Sequence, residues 1–198
     1  MSIKKLITGL TLSLLLASGV ASAADFYKGL DAYKSGDFKT ALIEWTPLAE
    51  QGNASAQYFL GLMYDVGEGV PENDKTAVKW FTLAAEQGDA DAQFELGFMY
   101  SRGHGVPEND KTAVKWYTKA AEQGDFGGQG MLGVMYEYGE GVLTDNRRAY
   151  MWYNLASYNG SKVAGENKDK IANDMTPADI SKAQDMSSRC LESDYTDC

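Results

Sequence analysis

Histidine is almost absent from this sequence: His104 stands alone among 198 residues. Cysteine is nearly as scarce, with only Cys190 and Cys198, both at the end. Zinc and haem sites need several such donors at set spacings, so neither signature is present and no cofactor is expected. Basic side chains are the minority, 18 Lys and Arg against 28 Asp and Glu. A surface of that sign repels phosphate backbones and anionic membranes, which disfavours nucleic acid as a partner. A Ser-x-x-Lys nucleophile motif is missing beyond Ser2 to Lys5.

The apolar stretch Leu6 to Val20 is short for a bilayer span and is interrupted by Thr8, Thr11 and Ser13. Lys4 and Lys5 precede it and Ala21-Ser22-Ala23 follow, the pattern of a cleaved export signal over residues 1–23. No Cys follows Leu16-Ala17-Ser18-Gly19, so a lipid anchor is not supported. The expected product is periplasmic or secreted, with no membrane insertion once the signal is removed. Without Lys4 and Lys5, 16 basic side chains face 28 acidic ones, a net charge of −12. In an oxidising compartment a Cys190–Cys198 disulfide is expected over free thiols.

What is present is a repeat. Shifted by 36 residues, Ala54–Asp89 matches Ala90–Asp125 at 27 of 36 positions, and Gly69 to Trp80 equals Gly105 to Trp116 without a change. A third, more divergent copy keeps Gln129, Leu132, Gly133, Tyr136, Gly139, Gly141, Trp152, Tyr153 and Gly160 in register. A period of this length signals a solenoid. Each unit reads as two helices. Ala77, Trp80, Phe81, Ala84 and Ala85 form one apolar stripe at helical spacing, started by Asn73 or Asp74 and stopped by Gly88. The first helix carries Ala56, Leu60 and Tyr64 at steps of four. Gly61, Gly97 and Gly133 each cost about 1 kcal/mol of helix propensity. Close approach of the paired helix at Ala84, Ala120 and Ala156 is the expected return. Trp80, Trp116 and Trp152 recur with the period and are expected to be core knobs.

The strings Ala-x-Ala-Gln-x-x-Leu-Gly-x-x-Tyr, Gly-x-Gly-Val, Asp-Lys-x-Ala-x-x-Trp and Ala-Ala-Glu-Gln-Gly together resemble the Sel-1-like repeat, a relative of the tetratricopeptide repeat. Three such units are expected, at 54–89, 90–125 and 126–160. Before them, Gly29, Gly36-Asp37-Phe38, Ala41 and Trp45 have the tighter spacing of a tetratricopeptide pair over 24–53. Residues 161–198 read as a C-terminal cap, because the Leu60 position becomes Lys168 and the Tyr64 position becomes Ala172. Thr176-Pro177-Ala178-Asp179 reads as the start of a last helix with Ile180, Ala183, Met186, Cys190 and Leu191 on its apolar face. The resemblance implies an all-α, right-handed superhelix of about four helix pairs plus a capping helix. Its concave face, lined by first helices, would take a protein or peptide partner, as exported adaptors or regulators of this kind do.

Seven of the nine differences between the two near-identical units fall on the first helix and its exit, away from the packing positions. The groove-facing positions of the related tetratricopeptide units map to Ser55, Tyr58, Leu62 and Asp65. The next unit supplies Asp91, Phe94, Phe98 and Ser101, with Arg102 adjacent; the third supplies Gly127, Gly130, Val134 and Glu137, with Tyr138 adjacent. Tyr58, Leu62, Phe94 and Phe98 would make an apolar strip of the kind that carries binding hot spots. Packing between neighbouring first helices is the competing reading of each ring. His104 stands in a loop where the sister unit has Glu68, and the repeated acids Glu72, Asp74, Glu108 and Asp110 read as caps and solvated surface. The enzymatic alternative is a β-lactam or cell-wall hydrolase of the cysteine-rich Sel-1-like type. Those relatives carry a Cys pair in successive repeats, and these repeats hold none.

Overall fold

The computed structural model describes residues 24–196 and Cys198; the expected export signal over residues 1–23 lies outside the described residues. Ten helices follow one another: α1 Phe26–Lys34, α2 Phe38–Glu50, α3 Ala54–Val66, α4 Asp74–Glu86 and α5 Ala90–Arg102. Then come α6 Asp110–Ala121, α7 Phe126–Tyr138, α8 Asn146–Tyr158, α9 Lys162–Ala172 and α10 Pro177–Glu192. Among the described residues there are no strands. The odd-numbered first helix of each unit packs on the even-numbered second helix, and each pair packs on the next, so the chain is a helical solenoid.

Polar residues at fixed places in the period begin the helices. Asn53, Asp89 and Asp125 each accept the backbone N–H three residues on, and Asn73 and Asn109 do the same for Thr76 and Thr112. Such caps contribute about 1 kcal/mol each. Gly67, Gly103 and Gly139 end the first helices in the left-handed conformation, where a Cβ would be strained. The second glycine of each Gly-x-Gly is left-handed as well and has a further reason. A Cβ on Gly105 would fall 2.5 Å from the backbone of Asp74, so the loop lies against the start of the previous unit's second helix.

The helical glycines Gly61, Gly97 and Gly133 make room for rings, not for the alanines expected opposite them. A Cβ on Gly61 would fall 2.5 Å from the Phe81 ring, and one on Gly97 would fall 2.7 Å from Tyr117; Gly133 faces Tyr153 in the same way. In the first unit Gly29 faces Trp45. Trp45, Phe81, Tyr117 and Tyr153 are 36 residues apart and essentially inaccessible. The repeated tryptophans one position earlier need correcting. Only Trp152 is buried, whereas Trp80 and Trp116 are half-buried and lie beneath the ammonium groups of Lys79 and Lys119. Trp152 sits in the cluster that also holds Cys190 and is flanked by Met186 and Leu191 of α10. The last helix therefore covers at the end of the stack a position that stays partly open within it.

A second repeated device is polar. Gln57, Gln93 and Gln129 are buried in their first helices, and each donates to the carbonyl of Ala49, Ala85 or Ala121 in the preceding unit. The side-chain oxygen of each accepts from Gln87, Gln123 or Asn159 at the end of its own second helix. Three helices are thereby tied at one point per repeat, which sets the stacking register. At the C-terminal end Asn159 also exchanges hydrogen bonds with the Tyr195 hydroxyl. The segment carrying Tyr195 is closed by a disulfide between Cys190 and Cys198.

The cap is built from both last helices. α9 packs on α8 as another first helix would, burying Ala164 and Ile171. α10 begins with Thr176 accepting the Asp179 N–H, and then packs back on α8 instead of pairing with α9. Its buried line is Ala183, Ser187 and Cys190, with Ser187 satisfied by the Ala183 carbonyl.

Candidate protein-binding groove

Within the repeats, α5 touches α7 directly. The face that the first helices share is the one the repeat resemblance implies is concave. On that inner face the candidate residues fall into three places. Tyr58 and Leu62 are half-buried against the core around Phe81, Ala92 and Leu96, so they fill the seam between α3 and α5. Phe94 and Phe98 lean on the next core, around Tyr117, Leu132 and Met135. Each ring thus packs between units and keeps part of its surface outward. Packing and groove are not exclusive.

Two depressions meet at Met131 and Val134. The first, about 590 Å³, brings together Ser101, Arg102, Val134 and Tyr138 with Glu108, Asp110 and Glu140. Arg102 is exposed, with its guanidinium over the Phe98 ring, and Tyr138 is exposed. Ser101 is occupied locally, donating to the Phe98 carbonyl. The second depression, about 220 Å³, lies between α5, α7 and α9 and is mostly apolar, with Phe94, Gly127, Gly130 and Val134 in its wall. Glu137 joins neither; its carboxylate accepts a 2.6 Å hydrogen bond from the Tyr153 hydroxyl. Asp65 and Ser55 lie outside both.

Phe126, Met131, Val163 and Glu95 belong to this face and were not singled out from the sequence. Glu95 stands where the sister unit has Phe59, a ring stacked on Trp45. An acid replacing a packed ring was the available signal. Burial, then the charges of Asp65, Asp91 and Asp125, push the Glu95 carboxyl up to about 7. Asp65 and Asp125 are also raised, chiefly by burial. The phenol of Tyr58 is pushed up by burial and by Asp91, Glu95 and Asp89. None of the four ion pairs among the described residues involves Asp65, Asp91, Glu95 or Asp125.

A testable pH dependence follows. Glu95 binds its proton more tightly folded than unfolded, so its contribution to stability is full below about 4.5 and is lost as pH rises through about 7. Denaturant titrations should show Glu95→Gln gaining stability relative to wild type across that window. The groups facing Glu95 are Tyr58 and Asp65 of α3, Asp91 of its own helix, Asp125 capping α7, and Tyr117 of α6. Parallel pH profiles for the two proteins would contradict this electrostatic picture.

No group of three His, Cys, Asp or Glu able to hold a metal occurs among the described residues, and no described helix is long and apolar enough to cross a membrane. The Sel1 repeat family matches residues 54–89, 90–125 and 128–161. A Sel1 repeat protein from Oxalobacter formigenes is similar in structure, with a TM-score of 0.70 and 35% identity over 73% of this chain. c5321, a protective antigen of uropathogenic Escherichia coli with an SLR fold, gives a TM-score of 0.61 and 30% identity over 86% of this chain. This chain spans 59% of the first and 46% of the second. Helicobacter pylori cysteine rich protein B shares the fold, at a TM-score of 0.53 and 23% identity, over 66% of this chain and 93% of its own. No curated protein matches. With three successive repeats matched and the helix pairs stacked as described, the chain belongs to the Sel1 repeat family.

Proposed function

We propose that this chain is an exported adaptor or regulator that holds a protein or peptide partner along the inner face of its first helices. The observation that carries the reading is one face with half-exposed Tyr58, Leu62, Phe94 and Phe98 leading to two depressions that meet at Val134. Apolar and aromatic anchors in a partly formed groove, with charge around them, are what protein partners use. Sel1 repeats are generally protein-interaction modules. Export to the periplasm or beyond rests on the pattern in residues 1–23.

Site-specific photocrosslinking in the producing cell tests it. A crosslinker at Gly130 or Tyr138 should trap a discrete partner, whereas one at Lys79, Glu86 or Lys115 on the second helices should not. Adducts confined to the second-helix positions, or equal from both faces, would overturn the groove. Fractionation of the same cells tests the location, and a cytosolic adduct would overturn export.

A further inference from the structure

The ring position of the groove runs Tyr58, Phe94, Gly130 along the three units. Phe94 reaches across its seam, with its ring 2.9 Å from where a Cβ on Gly127 of the next first helix would stand. The residue 36 positions after Gly127 is Val163, at the start of α9. It has no ring to receive. A Cβ on Gly130 would have no neighbour within 4 Å, and Val163 is 66% exposed. The apolar depression of about 220 Å³ between α7 and α9 lies where the repeat's own ring is missing. Phe94, Phe126, Met131, Val134 and Tyr153 complete its walls.

The charge on its α5 side, toward the start of α7, is acidic, while Arg102 lies in the adjoining depression. The Asp125 carboxylate is 3.2 Å from the same Cβ position on Gly127 that Phe94 overlies, and on α5 stand Glu95 and Asp91, whose charge raises the carboxyls of both Glu95 and Asp125. These acids have no ion-pair partner among the described residues. An apolar socket flanked by uncompensated carboxylates complements a side chain of opposite character on each count.

Resting on the binding role proposed above, we infer that the partner is a cationic segment that inserts one aromatic side chain into the Gly130 socket and sets Lys or Arg against Asp91, Glu95 and Asp125. The inserted ring takes the place that Tyr58 and Phe94 occupy at the earlier seams. The carboxylates on the α5 side fix which way the segment runs.

The test is to pan a random dodecapeptide library on the immobilised full chain, then measure the selected peptides against wild type and Gly130→Phe. That substitution restores the repeat's own ring in open space, and circular dichroism and melting check that it folds. Selected peptides should share an aromatic residue near Lys or Arg and bind Gly130→Phe at least about tenfold more weakly, the cost of losing one buried ring. Asp91→Asn/Asp125→Asn should weaken binding and flatten its salt dependence. Peptides without an aromatic or a cation, or indifferent to Gly130→Phe, would overturn this inference while groove crosslinking at Tyr138 still stood. Self-association of wild type abolished by Gly130→Phe would make a second copy the occupant and would likewise overturn it. Failure of crosslinking from every inner-face position would remove the underlying binding role instead.

Discussion

Tyr117→Ala is expected to destabilise the protein by about 3–5 kcal/mol, and Trp116→Ala by only about 1–2 kcal/mol. The larger side chain gives the smaller effect because of where each one points. Tyr117 is fully buried against the bare backbone of Gly97. Its loss leaves a cavity bounded by two helix backbones that are held apart by the rest of the stack. Trp116 keeps one face to solvent and to Lys119, so water can follow its removal. Tyr117→Phe should cost little, because Phe81 occupies the equivalent slot. Denaturant unfolding of the three variants checks this, and a Trp116→Ala cost equal to that of Tyr117→Ala would show that the ring slot has been misidentified.

Gln93→Ala is the second large effect, at about 1–3 kcal/mol. The substitution removes two hydrogen bonds, from Gln93 to the Ala85 carbonyl and from the Gln123 amide to Gln93 at 2.8 Å, although Ala85 still accepts the Gly88 N–H and the exposed Gln123 still reaches the Lys119 carbonyl. Each bond contributes about 0.5–1.5 kcal/mol, and removing the buried Gln93 side chain leaves a void besides. The junction between the second and third helix pairs should loosen first, since each unit touches only its neighbours. Hydrogen exchange should therefore show faster opening in α4 and α5 than in α8 and α10. Gln93→Glu offers a stricter version, because a carboxylate cannot donate to the Ala85 carbonyl. If Gln93→Ala cost less than about 0.5 kcal/mol, the glutamine tie would not hold the register.

How much of this was legible in the sequence depended on whether the signal was identity or space. The period and the helix pairs were legible because 27 of 36 positions coincide between two units. The tryptophans misled for the same reason. Trp80 and Trp116 are identical, so sameness was read as burial, while the truly buried position varies as Trp45, Phe81, Tyr117 and Tyr153. A slot floored by glycine accepts any ring, and its tolerance hid it. The glycines showed that something approached closely but not what approached. The docking of α10 on α8 was also out of reach, since an apolar stripe does not say which neighbour it will cover.

The groove was half legible. Mapping by repeat position brought out Phe94, Ser101, Arg102, Val134 and Tyr138, which the fold gathers around two adjoining depressions. It set Glu137 beside them, and that carboxylate is instead bound to Tyr153. Gly130 was noted as a groove position, but the vacancy it leaves exists only once Phe126 and Val163 are placed around it. Glu95 shows in the sequence only as an acid where the sister unit has Phe59, and its burial appears once α3, α5 and α7 are placed together.

The measurement that bears most directly on the central claim is hydrogen exchange of this protein with and without the partner trapped by crosslinking. Protection should concentrate on α5, α7 and α9, with α4 and α6 unchanged. Protection confined to the second helices would contradict an inner-face binding groove.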